Sequence, residues 1–273
     1  MNASNIFLGT CGWSYKEWEG PFYNKGEKNK LRAYSNVFST AEIDSTFYRY
    51  PSKGTVFGWL RYSPSDFAFT AKLPKLITHD KKLGSKGDVQ GDLERFLDVM
   101  QPLQLGGKLP CLLIQLPPSY KFDPENLEVF LKMLPAQCRF AVEFRNLSWI
   151  REETWQLLNR YRVAYVNVDE PLLPPEVHLT TDFAYFRWHG RGKKPWFDYR
   201  YSNEELEQWI PRIQEASAQV KKTFGYFNNH FHGCAPENCI TLIEKLGLTT
   251  ERQKTAKEKM RNKQASLSRF LEG

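Results

Sequence analysis

The sequence predicts a single α/β domain, a TIM-type (β/α)8 barrel, on three observations: eight short β-rich runs, helix-period segments between most of them, and polar residues gathered at the C-terminal tips of the runs. The runs are Ile6 to Cys11, Thr40 to Ile43, Phe67 to Ala71, Cys111 to Gln115, Arg139 to Phe144, Val163 to Val168, Phe183 to Trp188 and Thr223 to Phe227. Between them, Pro124 follows a candidate N-cap, Asp123, and opens a segment whose Leu127, Phe130, Leu131 and Leu134 recur at helical spacing. Ser148 reads as the N-cap of a helix running towards Tyr161. Ser202 and Glu205 form a capping box ahead of Leu206, Trp209, Ile210 and Ile213, and Pro211 should kink that helix. Parallel neighbours need a crossover of about a dozen residues, usually helical, so this alternation implies a parallel sheet and eight units imply closure. The competing open, doubly wound sheet lacks its phosphate-binding turn: neither GxGxxG nor GxxxxGK[ST] follows the first run, and Gly9 and Gly12 are wrongly spaced for one.

A chain of 273 residues suits one barrel of roughly 250 residues. There is no internal repeat, low-complexity tract or linker. The expected division is a barrel over residues 1–248 and a basic C-terminal helix or tail over 249–273. Leu73 to Gly91 is the longest irregular connection in the body and is expected to lie over the barrel mouth as a lid. Of the formal charge of +7, the tail holds +4, from seven Lys or Arg against three Glu. The body is left with +3, so a nucleic-acid partner would act through the tail, with a solvated basic helix as the plainer reading. Five cysteines, an odd number without CxxC spacing, read as reduced structural thiols. The chain has no apolar stretch of about 18 residues and no export-signal pattern, which predicts a cytoplasmic protein without a membrane partner.

What terminates the runs carries the chemistry. After the first stand Trp13 and Tyr15; after the second, Glu42 and Asp44, then Thr46 and Tyr48. The third ends at Lys72, the fourth at Gln115, the fifth at Glu143 and Arg145. The sixth ends at Asn167 and Asp169, the seventh at Arg187 and His189, the eighth at Asn228 and His230. Spacing of i, i+2 puts such pairs on one side of a strand, and a closed barrel gathers the tips into one ring, where barrel enzymes place their catalytic groups. Any one pair, such as Glu143 with Arg145 or Asp169 with Arg187, is equally well a structural salt bridge. The whole set argues for a site, because burying so many charges for stability alone is costly compared with apolar packing.

Lys72, Arg145 and Arg187 point to a small anionic substrate, since Arg offers a planar fork matched to phosphate or carboxylate oxygens. Glu143 and Asp169 are the candidate acid and base, and His189 the candidate proton shuttle. Trp13, Tyr15, Phe47, Tyr48, Trp149 and Trp196 are candidates for stacking a sugar or base, whereas Trp188 is expected to pack outward beneath a helix. No cofactor is assigned. A divalent metal, if bound, would take His189, His230, Glu143 and Asp169, with Asp44 near; against it, HExxH is absent and the interleaved cations repel a divalent ion at close range. His230-x-His232 looks ligand-like, but a post-strand turn more often just hydrogen-bonds such a pair.

The wording of the strand ends, GTCGWSYKEW with GPFY, AEIDSTFYRYP, FTAKLPKLITH, LLIQLPPSY, FAVEFRNLSW, YFRWHGR and GYFNNH, resembles the domain of unknown function 72 (YecE-like) family from Gly9 to His230. The resemblance implies a TIM-type barrel. It carries the family's polar positions onto Trp13, Tyr15, Glu42, Thr46, Tyr48, Lys72, His79, Gln115, Glu143, Arg145, Trp149, Asp169, Arg187, His189, Asn228, Asn229 and His230. Cys11 stands where Ser is common and Asp44 where Asn is common. Three functions stay open: acid/base chemistry on a phosphorylated sugar or nucleotide-like substrate, a metal-dependent phosphodiesterase or nuclease, and a non-catalytic nucleic-acid binder. The sequence leaves the oligomeric state open.

Overall fold

β-branched and aromatic residues crowd the eight runs, and in a sheet covered on both faces such runs read as nearly continuous apolar stretches. In the computed structural model, which describes residues 5–193 and 195–271, each becomes a strand: β1 Ile6–Thr10, β2 Thr40–Ile43, β3 Ala68–Lys72, β4 Cys111–Gln115, β5 Phe140–Glu143, β6 Ala164–Asp169, β7 Phe183–Trp188 and β8 Lys222–Phe227. All pair in parallel, in the order β1-β8-β7-β6-β5-β4-β3-β2. The seam between β1 and β2 is closed by a parallel bridge, Cys11 to Glu42, and by the Gly12 N–H donating to the Glu42 carbonyl at 2.8 Å. The result is the expected TIM-type barrel.

The helices follow their sequence signals with informative exceptions. After α1 (Lys30–Ser35), α2 (Lys53–Tyr62) and α3 (Gln90–Leu105), α4 spans Pro124–Met133 with the Asp123 side chain accepting from the Asn126 N–H. Helix α5 (Glu152–Arg160) does not start at Ser148. That residue lies in a 3-10 turn capped by Asn146, and its hydroxyl accepts from the Phe122 N–H instead. The Ser202–Glu205 capping box opens α6 (Asn203–Glu207), and the break before α7 (Trp209–Gln219) falls at Gln208, ahead of Pro211. A proline ring clashes with the carbonyl four residues earlier, here that of Glu207, so the interruption precedes the proline. Between β6 and β7 no helix forms; Thr180 there accepts from the Tyr165 N–H and donates to the Val163 carbonyl, and His178 stacks on Trp155 at 4.0 Å. After β8, α8 spans Cys234–Lys245.

The segment from Leu73 to Gly91 holds a π turn, Leu76–Asp80, and a 3-10 turn, Lys82–Gly84, pinned by buried Leu73, Ile77, Leu83 and Val89. It is therefore fastened to the helix layer rather than draped loosely over the mouth. The last helix, α9 (Glu251–Leu271), buries Gln253 and Met260 against the barrel, and the Gln253 amide donates to the Val37 carbonyl at the N-terminal end of β2. Among the described residues no helix is long and apolar enough to cross a membrane.

Alternation inside the strands sorts the core into two shells. Outward residues pack under the helices, as Trp188 does between Phe227 and Trp209, while Cys111, Leu113, Ala141, Val166, Val168 and Phe224 fill the barrel interior. Two polar rungs cross that interior: Tyr226 with Thr40, and Thr70 with Tyr185, each at 2.8 Å. The seam imposes its own demand. A Cβ on Gly9 would lie 2.2 Å from the Thr40 carbonyl oxygen, which is backbone and held in the sheet. Gly9→Ala is expected to cost at least about 1–3 kcal/mol in urea unfolding, in the range of overpacked cores; a neutral substitution would show that the seam tolerates more separation.

Candidate functional site

The inward register of each strand, continued past its last residue, decides what enters the mouth. Position 42 of β2 continues to Asp44, β3 ends at Lys72, β4 at Gln115, β5 at Glu143 and then Arg145, β7 at Arg187 and then His189, β8 at Asn228 and then His230. A cavity of about 270 Å3 opens there, lined by Tyr15, Asp44, Phe47, Tyr48, Lys72, Gln115, Arg145, Arg187, Phe197, Asn228 and His230. Among the larger hollows, two of about 540 and about 980 Å3 lie at the opposite end of the barrel and one of about 500 Å3 lies between residues 82–86 and 119–125, and the three strand-end cations line none of these.

Arg187 is the hub of the floor. With 3% of its surface exposed, it donates to Glu143 at 2.6 Å and to Glu42 at 2.7 Å, and Tyr185 donates to the other Glu42 oxygen at 2.7 Å. Arg145 lies above it, donating to Glu143 and to Glu170. Burial alone would raise the Glu143 carboxyl, but Arg145 and Arg187 outweigh it and hold the group well below the usual carboxylate range. Glu143 is thus an anion walled in by two guanidiniums, poorly suited to accept a proton from a ligand. His189 is also fully buried, with Arg145 2.9 Å and the Asn228 amide 3.0 Å from its ring nitrogens. Burial, with Arg145, pushes its pKa down to about 3, so near neutrality the ring is uncharged and stands behind the cations as a spacer.

Other groups remain open to the cavity. The Tyr15 hydroxyl donates to Asp44 at 2.9 Å, and its ring stacks on His230 at 4.4 Å. Burial raises the Asp44 carboxyl above its usual range, with the Tyr15 hydrogen bond opposing. Lys72 places its ammonium 3.7 Å from the centre of the Phe47 ring, and burial, assisted by Arg187, lowers it to about 8. His79 stays outside the cavity lining, where it meets the edge of Phe47 at 4.9 Å, and burial drops it to about 4. Tyr48 stands at the rim with 81% of its surface exposed.

Several expected site residues do not join this set. Asp169 points to the helix layer, where it accepts from the Trp209 indole and from Arg191, both at 2.7 Å. Inward positions on β6 are 164, 166 and 168, so the carboxylate that reaches the mouth is Glu170, which the sequence reading passed over although it lies two residues beyond Val168. Burial pushes the Glu170 carboxyl up to about 7 against the pull of Arg145, and its second oxygen has no hydrogen-bond partner. Trp13 packs outward on Phe69 and Trp59, because Gly12 turns the chain at φ 72° after β1. Trp149 stacks on Phe144 with its indole donating to the Tyr120 carbonyl, and Asn229 bonds Tyr199 and Asn238 beside α8. Phe197, also missed, comes from the loop after β7 and had no strand signal to announce it.

The four metal donors named from sequence therefore do not converge. Asp169 faces away, Glu143 is enclosed by arginines, and His230 pairs with Glu17 at 3.1 Å. Among the described residues no group of three or more His, Cys, Asp or Glu is arranged to hold a metal ion. Removing one partner of a buried ion pair strands the other, so Glu143→Gln is expected to cost about 3–5 kcal/mol in chemical denaturation. A loss below about 1 kcal/mol would mean that water already solvates the two arginines, as it does in exposed pairs of that strength.

Comparison with known proteins agrees with the barrel fold. The model of the family described as protein of unknown function DUF72 matches residues 7–264. UPF0759 protein YunF of Bacillus subtilis is 28% identical over 269 residues, covering 89% of this chain and 95% of that protein. A solved DUF72 family protein of Thermotoga maritima superposes with a TM-score of 0.80 at 35% identity, over 89% of this chain and 99% of that one. A second, from Enterococcus faecalis, shares the fold with a TM-score of 0.80 at 23% identity, over 90% of this chain and 97% of that one. A barrel whose strand tips carry these residues, matched along nearly its whole length, belongs to the DUF72 family.

Proposed function

We propose that the barrel mouth is an active site for a small anionic substrate, phosphorylated or carboxylated, on which it performs acid/base chemistry. The observation that carries this reading is the orientation of charge: Lys72, Arg145 and Arg187 border the cavity, while Glu42 and Glu143, which neutralise the arginines, lie beneath them and away from it. Guanidiniums fixed from behind need no rearrangement when an anion arrives, which is the preorganisation that makes charged hydrogen bonds effective in a low-dielectric site. Cavity volume suits a ligand of sugar-phosphate size, and Phe47, Tyr48 and Phe197 offer ring faces for its apolar side.

In this reading proton transfer falls to Asp44 rather than to the enclosed Glu143 or the outward Asp169, and the Tyr15 hydroxyl, whose proton burial and the Asp44 charge hold more firmly than usual, orients that carboxyl. Asp44 faces the cavity, and its raised pKa brings it nearer to the range in which a carboxyl both gives and takes a proton. Arg145 and Arg187 hold the anion; His189 and Asn228 keep Arg145 in position. Glu170 sets how positive the mouth is, because its ionisation adds a negative charge directly on Arg145.

A pH dependence follows from Glu170. Below about 7 its carboxyl is mostly protonated and Arg145 keeps more of its charge for a ligand; above about 7 the carboxylate competes with that ligand. Sulfate, whose double negative charge does not change over this range, is therefore expected to bind several-fold more tightly at about pH 6 than at about pH 7.5 in isothermal titration, and Glu170→Gln should flatten the difference. Arg145→Met is expected to weaken sulfate or sugar-phosphate binding at least about tenfold, the worth of one charge-assisted hydrogen bond. Equal affinity in the Arg145 variant would remove the anion site from the mouth.

A further inference from the structure

Three cations border one cavity, yet they differ in kind. An arginine does not give up its proton in a protein, whereas a lysine placed beside fixed positive charge and shielded from water readily does. Arg145 and Arg187 each hold carboxylates, while Lys72 makes no ion pair among the described residues and rests on the face of Phe47. Its backbone is fixed at the tip of β3 by the Thr46 hydroxyl, which donates to the Lys72 carbonyl at 2.6 Å. An amine without a carboxylate ion pair, held at the wall of an anion site whose lining it shares with a carboxyl, Asp44, and a phenol, Tyr15, has the surroundings of a nucleophile rather than of a salt-bridge lysine.

We propose that Lys72 condenses with an aldehyde or ketone carried by the anionic ligand, forming a protonated imine. This inference deepens the anion-site reading and rests on it for the placement of the carbonyl. In the step, the ammonium passes one proton to the Asp44 carboxylate, the freed Nζ lone pair forms a bond to the carbonyl carbon, the C=O π pair moves to oxygen, and a second proton passes from nitrogen to that oxygen to give a carbinolamine. Asp44, in its acid form, protonates the departing hydroxyl, water leaves, and the nitrogen lone pair forms the C=N bond. The net change converts an ammonium and a carbonyl into an iminium and one water, with no oxidant or reductant. Hydrolysis runs the same steps backward. Such an iminium draws electrons from the adjacent carbon, which suits isomerisation or carbon–carbon bond cleavage next to a carbonyl.

The charges that face Lys72 set when it is an amine. Arg187 and Arg145 disfavour its proton, while Glu143, Glu42 and Asp44 favour it, and His79 stands neutral beyond Phe47. The balance, with burial, brings the ammonium to about 8, so a neutral amine is present at accessible pH.

The test traps the imine. The full chain is incubated with dihydroxyacetone phosphate and sodium cyanoborohydride, digested, and mapped by mass spectrometry. Expected is one dominant adduct on the peptide containing Lys72, formed at least about tenfold faster than on exposed Lys53 or Lys132, rising through about pH 8, suppressed by inorganic phosphate and absent in a folded Lys72→Met variant. Adducts spread over surface lysines without preference, or none while phosphate still binds, would overturn the inference and leave the anion site standing. Neutral dihydroxyacetone separates the two ideas: labelling of Lys72 as fast as with the phosphate ester would support the amine and count against the anion site. The wild-type peptide map locates the adduct even if the variant fails to fold.

Discussion

Arg187 sits at the bottom of the mouth with almost no contact with solvent, and the strands around it are arranged to meet its charge. Glu42 on β2 and Glu143 on β5 each take one terminal nitrogen of the guanidinium that β7 directs into the barrel. Desolvating a guanidinium costs several kcal/mol, recovered only when its partners are close and themselves hydrogen-bonded. Here they are: Tyr185 completes Glu42, and Arg145 completes Glu143. Because the three strands are far apart in sequence, this one cluster ties the register of β2, β5 and β7 together at the end where the ligand cavity opens.

From that constraint the character of the mouth follows in layers. Polar rungs of Thr and Tyr lie lowest, then carboxylates, then arginines, then the open groups Asp44, Tyr15, Lys72 and His230. Each layer satisfies the one above it, so the uppermost groups are those with capacity left for something else. Of the two carboxylates that burial raises above their usual range, Asp44 lies within that upper layer and Glu170 on Arg145 just below it.

The eight strands were legible because their apolar runs are short, bounded by turn residues and separated by helix-period segments; the capping box at Ser202 and the proline after Asp123 marked helix starts for the same local reasons. What the sequence did not carry was which side of a strand faces inward at its tip. On β6 the pair 167 and 169 is as regular as 168 and 170, and only the interior packing of Val166 and Val168 shows which pair is inside. Trp13 would be inward by alternation from Cys11, but the left-handed turn at Gly12 swings it out. Burial depth was equally hidden: Glu143 and His189 face the axis as expected, yet Arg145 covers them, and that follows from side-chain length and not from spacing.

The basic helix α9 is clasped to the barrel at the Val37 turn, beneath the strands, and the cavity opens above them. Strands of five or six residues hold the two ends about 17–20 Å apart, more than twice the Debye length of about 8 Å at physiological ionic strength. Along the solvent path around the barrel, which is longer still, mobile ions screen the charge of the helix before it reaches the cavity. A ligand drawn to the exposed face of the helix therefore gains little from the cations of the mouth, and a ligand in the mouth gains little from the helix by way of the solvent.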